Sequence, residues 1–175
     1  MPRYDATTAR CTVLTFKEGL LSKVAHDLKI VIERFEIQID GEGAIVGAMF
    51  DTGSLRVDCA RREGRDAVGL LSLADKKEIE GRIREDVLHC RRYPEARFTS
   101  TGVIKVSPTR RRIVGELDLH GRKRSIELEA GLKEDQWNAE ISLHQPDFGI
   151  EPYRAMLGAL RVRPDVRIAI SIPAG

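Results

Sequence analysis

The chain has few cysteines, few aromatic residues and no long hydrophobic run, and each shortage removes a class of protein. Its three cysteines, Cys11, Cys59 and Cys90, are odd in number and widely separated. They offer neither a disulfide framework nor a Cys–x–x–Cys metal pair, and read as buried or half-buried thiols. The four histidines, His26, His89, His120 and His144, never fall at His–x–x–x–His spacing, so no metal centre and no cofactor is expected. No stretch approaches the roughly 18 apolar residues of a transmembrane helix. No sign of charge dominates: 29 Lys and Arg face 27 Asp and Glu, a formal net charge of +2. That balance does not point to nucleic acid. The clusters Arg61–Arg62, Arg91–Arg92 and Arg110–Arg111–Arg112 read as solvated turns or strand ends. A Gly–x–Ser–x–Gly nucleophile elbow is missing, and so is a phosphate-cradling glycine spacing. There is no low-complexity tract, linker or internal repeat. The 175 residues therefore suit a single domain over 1–175 with a sizeable core. Residues 1–8 carry no apolar signal-peptide core, so the expected location is cytoplasmic, or periplasmic if a leader has been removed.

What the chain has in quantity is alternation of period two, broken once by a helical stretch. Thr12, Leu14 and Phe16 share one face of a first strand. Next, Leu28, Ile30 and Ile32 place apolar residues at even positions, but Phe35, Ile37 and Ile39 place them at odd ones. A one-residue slip reverses every side chain, so a bulge or sharp bend is expected near Glu33–Arg34. Asp40–Gly41–Glu42–Gly43 reads as a turn. Ala44 to Asp58 reads as a strand or strand pair interrupted at Asp51–Thr52–Gly53. Residues 66–91 change period: Ile79, Ile83, Val87 and Cys90 share a helix face, with Ser72 and Asp75 as a start signal. Five later strands follow. Their inward faces are Phe98, Ser100, Gly102, Ile104 and Val106; Ile113, Gly115, Leu117 and Leu119; Ile126, Leu128, Ala130 and Leu132; Trp137, Ala139, Ile141 and Leu143; and Val162, Val166, Ile168, Ile170 and Ile172. Short connections favour antiparallel neighbours. The fold class is mainly β, a barrel of about eight strands with one helical segment.

Three segments then combine in a fixed order. Tyr93–Pro94 precedes Phe98 and Ser100, Gly115 and Leu117 lead to His120–Gly121, and Asp147–Phe148–Gly149 comes near the end. With His26 on an early strand, these segments resemble the YceI-like family of lipid- and polyisoprenoid-binding proteins. The resemblance covers most of the chain. It implies an extended, lipocalin-like antiparallel β-barrel holding a long-chain lipid or isoprenoid. Two positions depart from the family pattern: Gln145 stands where an arginine is usual, and Asp27 follows His26 where a small polar residue is usual.

The ligand contacts expected from this reading are Phe16, His26, Leu28, Phe98, Leu117, Phe148, Arg154 and Met156. His26 shares parity with Leu28 and either meets a ligand head or is satisfied by backbone and water. His120 and His144 share parity with acidic neighbours and point outward, His120 supporting a turn. His89 sits at the helix end. Tyr153 to Leu160 reads as a loop capping the barrel mouth, with Met156 adapting to a flexible chain and Arg154 available to an acidic head. Small inward residues (Ser100, Gly102, Gly115, Ala130 and Ala139) leave room along the axis or permit close packing. The leading expectation is non-enzymatic binding, transport or storage of a lipid. The alternatives are an enzyme using His26 and Asp147 as acid–base partners, and a solid barrel serving as an interaction module. A homodimer is compatible with all three.

Overall fold

The computed structural model describes residues 1–19, 25–40 and 44–175. Its strands are β1 (Arg3–Tyr4), β2 (Arg10–Thr15), β3 (Lys17–Glu18), β4 (Asp27–Ile32), β5 (Phe35–Ile39), β6 (Ile45–Asp51), β7 (Leu55–Arg62), β8 (Arg65–Ala67), β9 (Glu95–Ser107), β10 (Arg110–Leu119), β11 (Arg122–Lys133), β12 (Gln136–His144), β13 (Arg154–Ala155), β14 (Leu160–Val162) and β15 (Asp165–Pro173). Helix α1 (Leu73–Arg82) continues into a wider helical turn over Ile83–Val87. No helix among the described residues is long and apolar enough to cross a membrane.

The main sheet runs β1-β5-β6-β9-β10-β11-β12-β15-β2-β4-β7-β8, and a small sheet runs β13-β14-β3. β4 and β5 are halves of one bent strand, and so are β6 and β7. β4 pairs with β2 and β7, while β5 pairs with β6, which pairs with β9. The order therefore closes on itself. With each bent strand counted once, the ring is β2, β4/β5, β6/β7, β9, β10, β11, β12 and β15, an antiparallel barrel of the mainly β class that the alternation implied, with more strand segments among the described residues than the sequence suggested.

The bend lies where the parity reverses. Leu28 and Ile30 are buried before it, and Phe35, Ile37 and Ile39 after it. At the corner the Glu33 N–H donates to the Ser54 carbonyl (3.3 Å) and the Arg34 N–H to Ser54 Oγ (2.9 Å). The partner strand thus turns in step, through the short helical turn Thr52–Ser54. On the far side of the β5–β6 hairpin, the Asp40 N–H donates to the Ala44 carbonyl at 2.9 Å. Gly41, Glu42 and Gly43 of the expected turn lie outside the described residues.

Three expectations need correction. In β2 the inward residues are Cys11, Val13 and Thr15, so Thr12 and Leu14 lie on the other face, and Phe16 falls beyond the strand. In β9 the pairing slips between Ser100↔Gly115 and Gly102↔Val114, leaving Thr101 unpaired. That bulge reverses the strand, so Val103 packs on the core while Ile104 and Val106 are exposed. The helical stretch is shorter than 66–91, because Arg65–Ala67 pair with β7 as β8 and the helical turns end at Val87.

The helix starts as its sequence requires. Ser72 Oγ accepts from the Asp75 N–H (3.1 Å), and the Asp75 carboxylate accepts from the Ser72 N–H (2.9 Å), a reciprocal cap. Buried Glu80 anchors α1 to the barrel by accepting the Val57 N–H at 3.0 Å. Arg84 donates to the carbonyls of Gly53 (2.9 Å) and Leu55 (2.5 Å).

Candidate functional site

An eight-stranded barrel is wide enough for side chains to fill or for a ligand to enter. Here short aliphatic chains line the wall and do not meet across it. They leave a cavity of about 650 Å³, within the usual range for sites that hold small organic ligands. β4 contributes Leu28, Ile30 and Ile32; β10 Leu117 and Leu119; β11 Ile126 and Leu128; β12 Ala139, Ile141 and Leu143; β15 Val166, Ile168 and Ile170. From Val166 to Ile170 the wall extends about 13 Å at the ordinary strand rise.

Of the small residues, Ala139 lines this space, whereas Gly115, Gly102 and Ala130 do not open it. A Cβ on Gly115 would stand 2.4 Å from the Phe98 ring, so that ring already fills its place. Gly102 is exposed. Ala130 faces a separate void of about 20 Å³ with Ile39, Ile113, Trp137 and Ile172. This group closes the deep end, and the Arg111 guanidinium lies 4.7 Å from the Trp137 ring centroid on its outer side.

The other end is open. There α1 lays Ile79 and Ile83 over the cavity, preceded by Leu70 and Leu71, and Tyr153, Leu160 and Val162 face them from the late loop. Part of the polar lining lies here, half-buried His26, exposed Asp75, Glu78 and Arg82, and buried Gln145, while Thr15, Asp51 and Thr52 also line the cavity. Hydrogen bonds from the Ser72 side chain and backbone hold the Asp75 carboxyl below its ordinary range, with His26 a lesser contributor. Arg82 donates to Glu78 at 3.1 Å. Gln145 Nε2 donates to the Arg163 carbonyl at 3.1 Å, tying the β12 end to the start of β15. At depth, burial pushes the Cys11 thiol up to about 12, so it remains protonated and unreactive.

The family model of the YceI-like domain matches residues 15–174. The chain belongs to the YceI-like family. No curated protein sequence matches it significantly. Among solved structures, BcnA of Burkholderia cenocepacia is similar with a TM-score of 0.69 at 13% identity, over 98% of this chain and 99% of that one. A polyisoprenoid binding domain from Saccharophagus degradans, implicated in plant cell wall breakdown, gives 0.62 at 16% identity, over 97% and 95%. The YceI protein of Campylobacter jejuni gives 0.61 at 13% identity, over 85% and 84%. At such identities these likenesses establish the lipocalin-like fold alone.

Within this YceI-like barrel, His26, Leu28, Phe98, Leu117 and Phe148 line the cavity, whereas Phe16, Arg154 and Met156 do not. Phe16 lies in the break between β2 and β3, under the guanidinium groups of Arg163 (5.9 Å) and Arg167 (5.5 Å). Arg154 and Met156 are exposed. Asp147 is exposed and outside the cavity lining, and among the described residues no hydrogen bond or ion pair joins it to His26. The acid–base pair is therefore not assembled. Sequence reasoning missed the roof from α1, the contribution of Leu70 and Leu71, and Gln145. Only the shared helix face of Ile79, Ile83 and Val87 hinted at the roof.

The segments that carry the YceI-like resemblance meet at one place beside the mouth. The His120 ring packs on Tyr93 (centroids 4.2 Å) and on His89 (5.6 Å). The Phe148 backbone acts on this ring too, favouring its protonated form. Gly121 has φ +73°, and a Cβ there would come within 2.8 Å of the Tyr93 ring. Gly149 (φ +68°) leaves space for Arg122 in the same way. This cluster clamps the start of β9, the β10–β11 turn and the β12–β15 connection together. His120 Nε2 is buried with no partner among the described residues, and burial is the main cause that lowers the affinity of this imidazole for its proton.

Proposed function

We propose that this YceI-like protein binds a long-chain isoprenoid or another lipid inside its barrel and acts as a non-enzymatic carrier or store. The observation that supports this reading is the cavity of about 650 Å³, lined mainly by apolar side chains along its length. Each methylene moved from water into such surroundings contributes roughly 0.8 kcal/mol. Ten of them supply about 8 kcal/mol, enough to offset much of the cost of association with little polar recognition. The fold shared with the polyisoprenoid binding domain from Saccharophagus degradans supports the same class of ligand.

Native mass spectrometry of protein purified without detergent, followed by solvent extraction, tests the proposal. The expected result is one extractable lipid per chain, returned chemically unchanged after incubation, and saturable uptake of a fluorescent prenyl probe. Protein that carries no lipid and takes up no probe would sink it.

A further inference from the structure

The tip of the β13–β14 hairpin is at odds with its own backbone. Met156 (φ 51°), Leu157 (φ 57°) and Gly158 (φ 87°) are three successive residues in the left-handed region. Glycine suits that region and asparagine tolerates it, whereas Met and Leu do not favour it. Folding also gives no reason for large apolar groups here. Met156 is 65% exposed, Leu157 is fully exposed, and neither lines the cavity. The base of the same hairpin is cavity wall, since Tyr153, Leu160 and Val162 line it. Across the mouth, Leu70 both lines the cavity and is 39% exposed, and beside it Val68 and Leu73 are open to water. The apolar lining thus runs out over both lips of the opening.

Charge adds a second, independent observation. On one face of the small sheet that carries this tip, Arg154, Arg161 and Glu18 stand side by side, while Lys17 lies on the other face beside Val162. Glu18 pairs with Arg161 at 3.1 Å, and Arg154 has no ion-pair partner among the described residues. Apolar side chains projecting beside an unpaired arginine match the boundary between anionic head groups and acyl chains.

We infer that the rim of the cavity docks on an anionic lipid bilayer, with Met156 and Leu157 inserted and the face bearing Arg154 and Arg161 against the head groups. The mouth then opens onto the membrane, and a chain enters without crossing water. This inference rests on the lipid-carrier reading, but its test separates the two.

Flotation with phosphatidylcholine vesicles, and with vesicles containing about a third phosphatidylglycerol, measures docking. The wild-type chain is expected to float with the anionic vesicles, less so in high salt. The pair Met156→Asn and Leu157→Asn removes the apolar tip with residues that tolerate its backbone, and is expected to cut association at least tenfold. Arg154→Glu is expected to weaken it by less and to reduce its salt dependence. Uptake of a soluble fluorescent prenyl probe without vesicles should be unchanged in all variants. The docking inference is overturned if the wild-type chain floats with neither vesicle, if the double Asn variant floats like wild type, or if sedimentation shows a dimer that the double Asn variant abolishes. The last outcome would assign the tip to a second copy of the chain. Loss of probe uptake by the wild-type chain in free solution would instead strike at the carrier reading itself.

Discussion

The cavity and the motif cluster share one end of the barrel, yet they are built from opposite materials. The cavity wall is interchangeable Leu, Ile and Val, held in place by strand parity alone. The cluster of Tyr93, His120, Gly121, Phe148, Gly149 and Arg122 depends on ring contacts, left-handed glycines and a half-buried imidazole. The residues by which the chain is identified as YceI-like therefore divide: those of this cluster fasten loops together, with Phe148 also reaching the cavity, while His26, Phe98 and Leu117 line it. The other residues that would hold a ligand carry little signature, because many aliphatic side chains serve an apolar wall equally well. Family membership and ligand capacity can be separated by mutation.

The largest expected effect is on the cavity side. Ile141→Trp fills space that a ligand would occupy, and is expected to weaken prenyl-probe binding more than tenfold while Tm moves by only a few degrees. Fluorescence titration beside calorimetry checks both halves. On the cluster side the pattern should invert. Gly121→Ala forces a Cβ against the Tyr93 ring in a left-handed backbone and is expected to cost about 1–3 kcal/mol of stability. Probe affinity per folded molecule should stay within about twofold of wild type. If Gly121→Ala lost affinity and kept stability, the cluster would belong to the binding site after all.

The smallest effect is a pH dependence. The folded His120 imidazole holds its proton less tightly than its ordinary value of 6.5, with burial the main cause. As pH falls below about 6.5 the unfolded chain takes up the proton first, so stability declines until the folded imidazole is protonated too. Above 6.5 the contribution is fully present. His120→Asn, which tolerates φ 53°, is expected to flatten the fall in Tm between pH 7 and 5. The lowered carboxyls of Asp5, Asp66 and Asp75 act in a separate window, below about 3.8.

Much of the frame was legible in the sequence because reversals of alternation are hard to disguise. The switch from Leu28–Ile30–Ile32 to Phe35–Ile37–Ile39 marks the bend that lets the sheet close. The reversal in β9 went unread because Ser100 and Gly102 mark neither face, and Ile104 and Val106 look like core wherever they point. In β2 both faces are apolar enough that Cys11–Val13–Thr15 and Thr12–Leu14–Phe16 are indistinguishable by pattern. The mouth was least legible: loops have no period, and placing α1 as a roof depends on Glu80 and Arg84 reaching backbone groups far away in sequence.

The plug around Trp137 has one more consequence. On the proposed carrier reading, a guest in a sleeve closed at its base would load tail foremost, and its polar terminus would rest beside His26 and Asp75. Any receiver of that guest would meet its terminus first and withdraw the tail last. A guest longer than the sleeve would protrude on the α1 side, making the depth of the floor a gauge of chain length.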